Sequence, residues 1–163
     1  YKNNKLQYIF NTAGRLYLID RNGNHVAKYP LTLPSPATNG LSLFDYDNNK
    51  EYRIFIALSD NRVYLFDKNG NRNPGWNPPQ TEGTVSSPIQ FFTTGGRDYI
   101  VFSDQYRNYI LDRRGENRVI PARSFVRNPN SLFFLEGDGS GASLVTTTQS
   151  GLLAKISLPG GEC

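Results

Sequence analysis

The sequence contains no methionine, and cysteine, histidine and tryptophan occur once each, as Cys163, His25 and Trp76. With one thiol, at the last position, no internal disulfide can form, so cysteine pairing gives no guide to compartment. A lone histidine and a lone cysteine exclude clustered zinc ligands and Cys–His nucleophilic catalysis. A Ser-His-Asp triad would have to recruit His25, and no Gly-x-Ser-x-Gly elbow presents a serine to it. His25 lies just beyond a tight turn, where an exposed imidazole is expected rather than a general base. No apolar run is long enough to span a membrane, and no signal peptide is visible. A chain that begins at Tyr1 without methionine reads as a processed product or an excised piece, from which a targeting segment could have been removed. The net charge of +4 is spread thinly and contains no lysine or arginine run. Neither a nucleic-acid arm nor membrane insertion is expected.

What is present is short and punctuated. Runs of β-branched and aromatic residues alternate with Gly, Asn, Asp and Pro, and no segment shows the 3.6-residue spacing of an amphipathic helix. That texture predicts an all-β protein of one domain. Comparing the chain with itself reveals a repeat. LYLIDRNGN (16–24), VYLFDKNGN (63–71) and YILDRRGEN (109–117) are copies of one unit, and LAKISLPGG (153–161) is a degenerate fourth. The turn glycines Gly23, Gly70, Gly115 and Gly160 are 47, 45 and 45 residues apart, and Asp20, Asp67, Asp112 and then Ser157 keep that spacing. Three residues before each aspartate stands Tyr17, Tyr64 or Tyr109; five before stands Arg15, Arg62 or Arg107; eleven before stands Ile9, Ile56 or Val101.

Each unit reads as four strands. In the second these are 41–44, 54–58, 63–66 and a short fourth strand leading towards Trp76; they are called A to D below. The aspartate of each C–D link can accept turn N–H groups, and the glycine takes a positive φ at little steric cost, so both are explained as turn residues. Strands B and C are nearly continuous in apolar character, which predicts burial on both faces. Stacked four-stranded antiparallel sheets, one per repeat of about 45 residues, are the pattern of a β-propeller. The units are about 1–40, 41–88, 89–131 and 132–163. The first begins at strand B (5–10) and the last stops after strand C, which makes about three and a half blades. Closed propellers need at least four. The expectation is a segment of a larger propeller, completed by remaining blades of the same protein or by a second copy pairing through open sheet edges.

Tyr64, Asp67, Gly70 and Trp76 resemble the blade motif of quinoprotein-like (PQQ-like) propellers, in which an apolar-Tyr-Ala-Leu-Asp run and a turn glycine precede a tryptophan; WD40-like blades share similar turns. The resemblance implies that Trp76 docks neighbouring blades, with Tyr29 and Pro121 at the equivalent places. It does not imply the quinone, because that site needs an adjacent-cysteine disulfide. Non-enzymatic relatives, such as scaffold subunits of bacterial outer-membrane assembly machinery, are the closer analogy. LFDYDNNKEYRIFIALSDNRVYLFDKNGN also looks like repeats of large exported bacterial proteins. The resemblance thus implies a protein-interaction scaffold without enzymatic activity or cofactor, in the periplasm or at the cell surface.

Two groups of residues are candidates for function. Asp45, Asp47, Asn49 and Glu51 place oxygen ligands at alternate positions, as in calcium loops of the Asp-x-Asp-x-Asn kind. The loop lacks the usual bend glycine, and the other reading is a polar hairpin turn. Arg15, Arg62 and Arg107 each end a B–C turn, on the rim expected to carry the long, proline-rich D–A connections 30–40, 74–88 and 121–131. Arg123 and Arg127 add to that rim. The functional reading is a basic, proline-lined surface for an acidic or extended protein partner; the alternative is arginines paired with local acids or solvating turns. A second class of function is ligand or glycan binding, even catalysis, in the channel of a completed propeller. Its lining would come from the A strands, at Leu43, Phe44, Phe91, Phe92, Phe133 and Phe134. No carboxylates cluster there, which disfavours glycosidase chemistry.

Overall fold

The computed structural model describes residues 6–158 and is all-β, with four small antiparallel sheets in chain order. The first holds β1 (Gln7–Asn11), β2 (Arg15–Asp20) and β3 (Leu31–Thr32). The second holds β4 (Ser42–Phe44), β5 (Arg53–Leu58) and β6 (Arg62–Asp67). The third has four strands, β7 (Gln90–Thr94), β8 (Arg97–Ser103), β9 (Asn108–Leu111) and β10 (Asn117–Val119). The fourth holds β11 (Phe134–Glu136), β12 (Ser143–Thr147) and β13 (Leu153–Ser157). The expected strands A, B and C of the second unit are thus β4, β5 and β6. Its strand D is reduced to a single bridge, Phe66 to Arg72. Gly160 and Cys163 lie outside the described residues.

The sheets stack face to face, which is why their central strands read as unbroken apolar runs. Ile54, Ile56 and Leu58 of β5 pack against Leu16 and Leu18 of the first sheet. Phe55 and Ala57, between them in sequence, pack against Ile100 and Phe102 of the third. β8 repeats the arrangement, sending Tyr99 and Val101 towards Leu144 and Ile156 of the fourth. Each fully buried Phe, Leu or Ile side chain stabilises the stack by about 1.5–3 kcal/mol. Trp76 is 8% exposed, stands edge-on to Phe55 at 5.1 Å, and donates from Nε1 to the Val63 carbonyl at 2.8 Å. It therefore packs between the second and third sheets. Tyr29 is buried between the first and second, with its hydroxyl on the Lys68 carbonyl at 3.4 Å.

The three aspartate–glycine turns are built alike. Asp67 Oδ1 accepts the N–H groups of Asn69 and Asn71 at 2.9 and 2.8 Å. Asp20 holds Asn22 and Asn24, and Asp112 holds Arg114 and Glu116, in the same way. Gly23, Gly70 and Gly115 follow at φ +83°, +79° and +87°. Burial works to raise the Asp67 carboxyl, but the Asn71 and Asn69 donors outweigh it and hold the group below the usual carboxylate range.

The repeat spacing hides a difference between the sheets, and one connection is corrected. Ile9, Ile56 and Val101 share a sequence offset but not a face. The first and third B–C links close on Asn11–Leu16 and Ser103–Asn108, whereas the second closes on Leu58–Arg62 and is one residue shorter. A one-residue change of register turns every side chain of a strand over, so Ile56 faces back to the first sheet while Val101 faces on to the fourth. Leu31 and Thr32, placed in a connection, pair with Leu16 and Arg15 as the fourth-strand segment of their unit. Of the A-strand side chains expected at a channel, Phe44, Phe91, Phe92 and Phe133 enter the inter-sheet cores, while Leu43 and Phe134 are exposed.

Candidate functional site

The D–A connections and the B–C links share one rim, because each connection is laced to the links of two successive sheets. In the first connection Leu33 and Ala37 donate to Gly14 and Ala13 of the first sheet's link, and Thr38 donates to Ala57 of the second sheet. In the second, Thr81 N–H meets the Asn61 carbonyl at 2.9 Å, and Gly83 N–H meets Asp104 Oδ2 at 2.9 Å. The third pairs Arg127 with Thr148 and sends the Asn128 N–H to Thr147. Backbone in an irregular loop needs these partners to be buried without penalty. The rim is consequently a fixed surface.

Asp104 is the hub of its central part. Oδ1 accepts the Tyr106 and Arg107 N–H groups at 2.7 and 2.9 Å, and Oδ2 accepts the Tyr109 hydroxyl at 2.8 Å beside Gly83. Burial pushes this carboxyl upward, yet the surrounding donors hold it below its usual range. The Tyr109 hydroxyl is raised above its ordinary value, by burial first. In the second sheet the Tyr64 hydroxyl donates to Asp60 at 2.7 Å in the same spirit. Sequence reasoning passed over this lock, although Asp60 stands four residues before Tyr64 and Asp104 five before Tyr109.

The five arginines separate into different surroundings. Arg107 and Arg123 are exposed and line one groove of about 310 Å³, with Pro79, Pro121, Tyr109 and Phe125 on its walls. Arg107 is ion-paired with Glu82 across the same groove. Arg15 and Arg62 are exposed and have no ion-pair or hydrogen-bond partner for their side chains among the described residues. Arg62 lines a separate depression beside Trp76. Arg127 is 7% exposed, beneath the rim and not upon it. The structure therefore joins two of the five, Arg107 and Arg123, into one basic groove.

The oxygen-rich loop 45–51 does not converge on a point. Asp45 accepts the Asn49 and Lys50 N–H groups at 3.0 and 2.8 Å, and Asn49 Oδ1 accepts the Glu51 N–H at 2.9 Å. Asp47 is ion-paired with Arg113 at 2.8 Å, and Glu51 with Lys68 at 2.6 Å. Among the described residues no three His, Cys, Asp or Glu side chains come together to hold a metal ion. Arg113 also pairs with Asp98 and stands 4.6 Å from the Tyr46 ring, tying the second sheet to the third on this opposite rim. His25 is exposed, 6.0 Å from the Tyr17 ring.

No family model matches this chain, and no curated protein matches it in sequence. Among the described residues no helix is long and apolar enough to cross a membrane.

Proposed function

We propose that the four sheets are blades of a β-propeller of the quinoprotein-like or WD40-like kind, and that the chain serves as a non-enzymatic protein-interaction scaffold in an exported bacterial protein. The observation that carries this reading is the laced rim with its groove between the second and third connections. A surface fixed by cross-sheet hydrogen bonds is pre-organised, so a partner binding there loses little to loop ordering. Proline walls and the half-buried Phe125 suit an extended segment, and Arg107 and Arg123 favour one that carries acidic residues.

The test is selection of binding peptides from a random displayed library on the wild-type protein, repeated on the double variant Arg107→Ala/Arg123→Ala. Peptides enriched in acidic residues on the wild type, and lost on the variant, are the expected result. Peptides recovered equally on both would remove the groove as the binding surface. Recovery of none would remove the scaffold reading itself.

A further inference from the structure

We propose that Arg127 forms the floor of a second site on this rim, a narrow cleft that binds a single carboxylate group. The backbone around Arg127 has a counterpart that shows what the arginine is not needed for. Arg127 bridges Thr148 while its neighbours Asn128 and Val126 bond Thr147 and Gln149. Ala37 bridges Leu58 while Thr38 and Pro36 bond Ala57 and Ser59. An alanine thus serves the same connection, and the guanidinium is an addition to it.

That addition is a buried cation with no carboxylate ion-paired to it among the described residues. Nε donates to Ser103 Oγ at 3.1 Å, Nη2 to Ser87 Oγ at 2.5 Å, and Nη1 to the Asn128 carbonyl at 2.9 Å. The ring of Phe133 lies 5.8 Å away. Three of the five N–H donors are used, all on neutral acceptors, and among the described residues no carboxylate is ion-paired with it. Desolvation pulls its pKa down from the ordinary arginine value with no charge partner to oppose it. A buried charge held only by neutral groups is expensive, and an arriving carboxylate would relieve that directly.

The space for it is present. Arg127, Ser87 and Ser103 line a cleft of about 130 Å³ together with Thr84, Ser86 and Gln149. The Ser87 hydroxyl accepts from Arg127 and has no acceptor of its own among the described residues, so it can donate to a ligand oxygen alongside the unused guanidinium N–H groups. The volume admits a carboxylate with one or two methylenes, given about 30 Å³ for each water-sized group. Asp104 is also in the wall. Its negative charge disfavours a doubly charged phosphate and leaves a singly charged carboxylate as the better match.

The carboxylate can come from an acidic side chain of a protein partner, as the scaffold reading would have it, or from a free small acid. Calorimetric titration of the whole chain with a pentaglutamate peptide, with propionate and with inorganic phosphate separates these. The expected result is carboxylate binding that weakens at least about tenfold in Arg127→Gln and several-fold in Ser87→Ala, with phosphate weaker than either carboxylate. Where Arg127→Gln fails to fold, amide chemical-shift mapping on the wild type replaces it, with shifts expected at Thr84, Ser87, Ser103 and Gln149. Binding by propionate but not by the peptide supports the site and removes its link to a protein partner. Absence of binding by all three probes at millimolar concentration, phosphate binding the tighter, or shifts elsewhere would overturn the proposal, leaving the Arg107–Arg123 groove untouched.

Discussion

The Tyr109 hydroxyl donates to Asp104 Oδ2 at 2.8 Å while its oxygen accepts the Glu82 N–H at 3.1 Å. One phenol therefore joins a hairpin link of the third sheet to the connection arriving from the second. Tyr109→Phe removes both bonds and leaves the buried Asp104 with one donor fewer. A loss of about 1–3 kcal/mol is expected, measured as a shift of the urea midpoint with unchanged slope.

Asp104 also sets an acid limit. Its folded pKa is lowered, so its stabilisation is complete above the unfolded aspartate value of about 3.9 and disappears as pH falls through the lower folded value. Wild-type stability should decline below about pH 4 more steeply than that of Asp104→Asn. The difference between the two acid limbs is the quantity to measure, since Asp67 is lowered too and contributes to both. Parallel limbs would assign the acid sensitivity elsewhere.

Gly115 and Gly23 take nearly the same backbone conformation, at φ +87° and +83°, but not the same surroundings. A Cβ at Gly23 meets nothing within 4 Å, whereas at Gly115 it would lie 2.6 Å from the Pro78 nitrogen. Gly23→Ala should cost about 1 kcal/mol, for the left-handed conformation alone. Gly115→Ala should cost clearly more, because backbone of the preceding connection must move. Chemical denaturation of the two variants side by side checks this, and equal losses would mean that the connection yields freely.

These residues also mark where the sequence was legible. The aspartate–glycine turns could be read because their hydrogen bonds close within five residues, and the central strands because burial on both faces leaves no polar alternation. The face occupied by Ile56 could not, since it depends on one residue in a hairpin link. Arg127 stands in a polar, proline-rich connection and reads as exposed. Its burial comes from the crossing to Thr148 in another sheet, a non-local contact with no signature in neighbouring residues. The Asp60–Tyr64 and Asp104–Tyr109 pairs had a signal in their near-equal spacings, but a signal this short gains meaning only once each hydroxyl is seen to donate to the aspartate of its own link.

Calcium should find little to bind at loop 45–51. Asp45 is engaged by two backbone N–H groups, and Asp47 and Glu51 are held by cations from the turns of two different sheets. Gathering them around one ion would break two ion pairs and a turn. Titration calorimetry with millimolar calcium is expected to give no heat of binding. A saturable heat that vanishes in Asp45→Asn would restore the loop as a metal site.

The terminal sheets leave faces, not merely edges, uncovered. On the first, Tyr8 and Phe10 are 52% and 43% exposed; on the fourth, Phe134 and Leu153 are 65% and 78% exposed. In the inner sheets the corresponding surfaces are closed by the next sheet, as Phe55 is by Ile100 and Phe102. The two outer faces differ in composition, so contact between them is head-to-tail and closes only as a ring or continues as a chain. Phe10→Lys and Phe134→Lys should therefore each reduce association with further sheets, read as a lower mass by light scattering at high protein concentration. Stability of the single chain should change by no more than about 0.5 kcal/mol in Phe134→Lys, and by about 0.5–1.5 kcal/mol in Phe10→Lys, which also loses the stack on the Tyr17 ring at 4.9 Å. Phe55→Ala should behave oppositely, costing about 3–5 kcal/mol without acting first on mass. A wild-type chain that stays monomeric at every concentration, with both lysine variants indistinguishable from it, would show that these faces do not recruit a second copy.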